Sequence, residues 1–131
     1  MDEDQMKIQW MSQEIAEKLL PTANAALISI VNPGGVRNLP VWEHRLDLDF
    51  NDISHEYPGY VHFTPAMAEQ ILDFIDTLPE HITEIYIHCR QGISRSATVG
   101  IFLQEKYGLP FDAKYTFLNP LIWKTLKSVA A

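Results

Sequence analysis

The sequence is short of cysteine, of basic charge and of long apolar runs, and each shortage excludes something. Cys89 is the only cysteine among 131 residues. No disulfide can therefore form within the chain, and a reducing cytoplasm is the compartment this composition suits. No apolar run approaches the ~20 residues that a membrane-spanning helix needs. The first ten residues, MDEDQMKIQW, carry acids where a secretory signal has Lys or Arg, and no apolar stretch follows, so export is not expected. Ten Lys and Arg stand against 17 Asp and Glu, a formal charge of −7, and no three bases are consecutive. Nucleic acids and anionic membranes are bound through clustered cations, so neither is expected as a partner. A single phosphate group is a lesser demand, met by backbone dipoles and one or two arginines.

What is there is an ordinary globular composition, 47% hydrophobic and 21% charged, which excludes a disordered or fibrous chain. The length allows one domain, and no repeat, linker or low-complexity tract divides residues 1–131. Ser12 is placed to cap a short helix with Ile15, Ala16, Leu19 and Leu20 at helical spacing, stopped by Pro21. The β-branched run from Ala25 to Val31 reads as a buried strand, closed by Asn32-Pro33-Gly34-Gly35. A second strand spans His44 to Phe50, where Leu46, Leu48 and Phe50 alternate with Asp47 and Asp49. After a polar loop, Thr64-Pro65 starts a helix whose apolar stripe runs from Met67 to Leu78. Glu84 to His88 is a third strand, followed by a helix from Ser96 to Tyr107 that Gly108 closes. A last helix covers roughly Pro120 to Val129, entered through Phe117 to Trp123. Trp10, Trp42 and Trp123 read as peripheral packing residues. Strands alternating with helices predict an α/β domain: a mainly parallel central sheet flanked by helices, in a single compact unit.

The chemistry is concentrated in His88-Cys89-Arg90-Gln91-Gly92-Ile93-Ser94-Arg95-Ser96, between a predicted strand and a predicted helix. Open α/β sheets place ligand sites at such junctions. A short loop entering a helix turns backbone N–H groups inward, and the helix N-terminus adds about half a positive charge. Gly92 permits the tight, left-handed turn that brings those groups to an anion. Cys89 at the base of this nest would be a nucleophile, because a positive environment favours the thiolate. Arg95 offers a planar fork to two phosphate oxygens. Ser96 can donate its hydroxyl to the sulfur, and His88 orients the cysteine through its ring hydrogen bonds. Arg90, Gln91, Ile93 and Ser94 contribute mainly their amides.

His88-Cys89-x-x-Gly92-x-Ser94-Arg95-Ser96 resembles the signature of the cysteine-dependent protein phosphatases. The run CRQGISRSAT is most similar to their dual-specificity branch, and residues 25 to 125 match that pattern loosely in the order of elements. The resemblance implies a tyrosine-phosphatase-like fold, a phosphocysteine intermediate, no cofactor and no metal. It also implies an aspartic acid, on a loop upstream of the cysteine, that protonates the leaving oxygen. Asp47 and Asp49 lie within the alternating strand. Asp52 lies past its C-terminal end and is the first candidate, with Asp49 second. No Trp-Pro precedes it, unlike in the larger tyrosine phosphatases, and its separation from Cys89 is slightly longer than the dual-specificity pattern.

The expectation is thus a monomeric phosphoprotein phosphatase that prefers phosphotyrosine, with phosphate or another oxyanion in the loop. Apolar Ile93 leans toward phosphoproteins over phosphoinositides. The rivals are a phosphatase of a nucleotide, an RNA 5′ end or a phosphoinositide; a non-catalytic phosphate-binding module; and a thiol-redox enzyme of the arsenate reductase kind, which lacks resolving cysteines here. Reversible oxidation of Cys89 would need a sulfenamide or an external thiol. Tyr57, Tyr60 and His62 read as surface-loop residues rather than pocket rim, His55 and His62 as solvated histidines, and Arg37 and Arg45 as surface charges.

Overall fold

A computed structural model describes residues 6–110 and 118–131 of the chain. They form a single small α/β domain with four strands and four helices. In chain order these are β1 (Lys7–Ser12), α1 (Gln13–Ala16), β2 (Ala25–Val31), β3 (Arg45–Asp49), α2 (Pro65–Asp76), β4 (Glu84–Cys89), α3 (Arg95–Lys106) and α4 (Pro120–Ala130). The sheet order is β1-β4-β2-β3 and every pairing is parallel. Parallel neighbours cannot be joined by a tight hairpin, so each connection crosses over, and all four strands end at one edge of the sheet.

Side-chain alternation gives the sheet two unlike faces. Ile28, Ile30, Leu48, Ile85, Ile87 and Cys89 point into the main core, closed over by α2, α3 and α4. Leu27, Trp42 and half-buried Tyr86 belong to a smaller cluster on the other side. The central strand β2 is buried at all seven positions, as a strand covered on both faces must be. Helix α3 is buried from Arg95 through Leu103.

The helix ends follow from local chemistry. Thr64 Oγ1 accepts from Met67 N at 3.2 Å with Pro65 in the first turn. Asn119 Oδ1 accepts from Leu121 N and Ile122 N ahead of α4. After α3, Gly108 takes φ +68°, and Leu109 N reaches back to Gln104 O at 2.8 Å. That six-to-one bond, with Gly108 N to Glu105 O, is a Schellman closure.

Two expectations need correction. Ser12 does cap a helix, accepting from Ile15 N, but α1 lasts only four residues. Ile15 and Leu20 are exposed, so the supposed apolar stripe packs against nothing on that side. The residues just before it form a strand, β1, where none was expected. Of the C-terminal run, Phe117 lies outside the described residues; Leu118 and Asn119 lead into α4, whose first turn holds Pro120 to Trp123.

Candidate active site

Cys89 is the last residue of β4 and Arg95 the first of α3. The five residues between them make the turn. Gly92 adopts φ +75°, and a Cβ there would stand 2.4 Å from the Met11 carbonyl carbon and 2.5 Å from Ser12 N. Both the backbone conformation and the space therefore require glycine. The unexpected strand β1 walls the loop at this point, and Gln13 N adds a bond to Arg90 O at 3.3 Å.

The sulfur of Cys89 sits between two polar groups. Gly92 N donates to Sγ at 3.2 Å, and Ser96 Oγ lies 3.2 Å from Sγ. Cys89 itself is buried, yet it lines a cleft of about 190 Å³ together with Asp52, Arg90, Gln91, Ile93, Ser94 and Arg95. Arg95 is also buried, at 4% exposure. Its Nη1 donates to Asn32 Oδ1 and to the Phe50 carbonyl, both at 2.8 Å. Its Nε is buried and makes no hydrogen bond. A buried, unbonded donor on an arginine is costly, and Arg95 borders the cleft.

Asp52 lies on the loop after β3 and borders the same cleft. Ser94 Oγ donates to its Oδ1 at 3.0 Å and Asn119 Nδ2 donates to the same oxygen at 2.8 Å. Ser94 occupies the N-cap position of α3 but makes no capping bond. A serine there ordinarily satisfies a first-turn N–H. Here its hydroxyl serves Asp52 instead.

The other two acids point elsewhere. Asp49 Oδ1 is 2.7 Å from Arg37 Nη2, and Asp47 pairs with Arg45 at 2.8 Å. Alternation along β3 sends both to the face opposite the Cys89 thiol. Asp49, the second candidate acid, is thereby removed from the cleft.

His88 is fully buried and, one residue from Cys89 on a strand, belongs to the opposite face. Its ring cannot meet the sulfur and touches the cysteine through the backbone, Nδ1 to Cys89 O at 3.4 Å. Nε2 lies 2.6 Å from Ser29 Oγ. Burial pushes His88 below the usual histidine range, the bond to Cys89 O opposes this, and the Arg37 cation adds to the lowering. The ring is neutral near pH 7.

All ten expected site residues are thus brought to one edge of the sheet. Arg90, Gln91, Ile93, Ser94, Arg95, Cys89 and Asp52 border the cleft, while Gly92, Ser96 and His88 support it from behind. Tyr57 and Tyr60 pack against each other with ring centroids 6.4 Å apart and do not border it. His62 faces Glu56 at 3.8 Å and His55 bonds Ser54. Sequence reasoning missed Asn32, which anchors Arg95, and Asn119, which anchors Asp52. It also missed Ser29, and it took Arg37 for a surface charge when its side chain is only 13% exposed.

No protein-family model matches the chain, and no curated protein matches it.

Proposed function

We propose that this chain is a cysteine-dependent phosphoprotein phosphatase, folded as the small tyrosine phosphatases of the dual-specificity type. The observation that carries the proposal is a pair at one cleft: a sulfur held between an amide and a hydroxyl, and an arginine with a buried, unbonded Nε. A phosphate monoester satisfies both, its oxygens on Arg95 and the loop amides and its phosphorus in line with Sγ.

In the first step the Cys89 thiolate forms a bond to phosphorus as the bond to the leaving oxygen breaks, and Asp52 gives that oxygen its proton. Both bonds to Asp52 end on Oδ1, so Oδ2 is the oxygen that holds the proton. In the second step the Asp52 carboxylate takes a proton from water, the water oxygen attacks phosphorus, and the sulfur leaves as a thiolate steadied by Ser96. The scheme uses no cofactor. An aryl phosphate has the better leaving group, so phosphotyrosine is the preferred substrate, and the reduced thiol this needs suits the cytoplasm.

The test is hydrolysis of para-nitrophenyl phosphate, with chelator present, for the intact protein and for Cys89→Ser. Turnover that vanishes in Cys89→Ser is expected, with loss of the basic limb of the pH profile in Asp52→Asn. Activity that survives in Cys89→Ser would sink the mechanism. Phosphate binding without turnover by the reduced protein would leave a binding module instead. A panel of phosphotyrosine, phosphoserine, nucleotide and phosphoinositide substrates then separates the substrate classes.

Among the described residues no helix is long and apolar enough to cross a membrane.

A further inference from the structure

Behind the cleft, on the face of the sheet turned away from the thiol, a chain of hydrogen bonds runs from Arg37 to the first residue of the loop. Arg37 Nε donates to Ser29 Oγ at 2.7 Å, and Ser29 Oγ lies 2.6 Å from His88 Nε2. On its far side the ring meets the Cys89 carbonyl. Arg37 is held in place by further bonds from Nη2 to Ser29 O at 3.1 Å, Leu48 O at 3.1 Å and Asp49 Oδ1 at 2.7 Å. Ser29 and His88 are both fully buried.

Proton counting decides the state of this chain. Guanidinium only donates, so the contact with Arg37 uses a lone pair of Ser29 and leaves its proton to be placed. Among the described contacts of that hydroxyl, His88 Nε2 is the only acceptor. A bare Nε2 puts the proton of the neutral ring on Nδ1, opposite Cys89 O. The reverse tautomer would strand the serine proton in the interior and set Nδ1 lone pair against a carbonyl lone pair.

We propose that Arg37 and Ser29 are positioning residues for the cysteine, which hold His88 as the Nδ1–H tautomer and so fix the Cys89 carbonyl from which the loop departs. Only the bearing on the nucleophile rests on the phosphatase reading; the tautomer does not. The charged groups around the ring are Arg37, Glu17 from the end of α1 and Asp47 from β3. Those facing the thiol are Arg95, Arg90 and Asp52 at the cleft.

The experiment is nitrogen-15 spectroscopy of the His88 ring at a pH above its titration, together with the pH profile of Cys89 alkylation by iodoacetamide. The intact protein is expected to show a protonated Nδ1 and a bare Nε2. Ser29→Ala and Arg37→Met each remove one constraint on the tautomer and leave the Cys89 carbonyl, so each is expected to bring the proton into exchange between the two nitrogens. Both should slow alkylation at mildly acid pH roughly tenfold, about one unit in the profile's midpoint. A wild-type ring protonated on Nε2 overturns the proposal. So does a slowed alkylation in Arg37→Met with none in Ser29→Ala, because the cation alone would then be acting. Ser29→Ala removes one oxygen, and should Arg37→Met fail to fold, it decides the matter alone. Neither readout uses phosphatase turnover: an inactive chain with the expected tautomer shift would refute the reaction and leave this proposal standing.

Discussion

At the scale of single residues, the site depends on side chains that serve two masters. Asn119 caps α4 with Oδ1 while its Nδ2 holds Asp52 and the Ile53 carbonyl. Asn119→Asp keeps the cap and removes the donor, setting a carboxylate beside a carboxylate. On the proposed mechanism, kcat for para-nitrophenyl phosphate is expected to fall roughly tenfold or more with KM little changed, since general acid catalysis is worth about 10²–10⁴ and only the positioning of Asp52 is lost. The same change in an Asp52→Asn background should cost little, and a double-mutant cycle reads the difference. This is also where the sequence was least legible. An Asn before Pro120 reads as a helix cap, and an Asn before Pro33-Gly34 reads as a turn residue, and both do those jobs. Nothing local reveals that Asn119 and Asn32 each have a second polar group to spend on a residue far along the chain. The placement of Cys89, Gly92 and Arg95 was legible because it depends on spacing within one loop.

At the scale of elements, β2, β4 and the helices α2, α3 and α4 were readable because the marks that bound them are local: Thr64, Asn119, Gly108 and the closing turn after Val31. Strand β1 was not. Ile8 and Trp10 alternate with Lys7 and Gln9, but four alternating residues beside an acidic terminus are a weak pattern, and what makes them a strand is β4 lying alongside. The dependence runs through Trp10 as well. A Cβ on Gly100 would stand 2.4 Å from the Trp10 ring, so α3 and β1 meet there at the closest approach their backbones allow. Gly100→Ala gains helix propensity of about 1 kcal/mol but forces the indole aside, and overpacking costs about 1–3 kcal/mol. A net loss on the order of 1 kcal/mol in urea unfolding is expected, with a shifted tryptophan emission in the native state.

For the whole molecule, the buried neutral His88 ties stability to pH. Its titration in the fold lies below the unfolded value of about 6.5, so at mildly acid pH the unfolded chain binds a proton that the fold refuses. The contribution is intact above that value. It falls with pH, by at most about 1.4 kcal/mol per pH unit, down to the folded titration and then levels off. His88→Gln should flatten the stability profile over that acid window, measured by denaturant unfolding at stepped pH. The all-parallel sheet has a consequence of another kind, which concerns synthesis. Among the described residues β1 pairs with β4 alone, and the two stand at opposite ends of the first ninety residues. Pairing so remote in sequence is slow to form. A ribosome making this chain therefore releases the first strand long before its partner exists, and the turn between Cys89 and Arg95, walled by β1, has no framework until β4 and α3 have emerged. The Cys89 thiol lies open to oxidation until then.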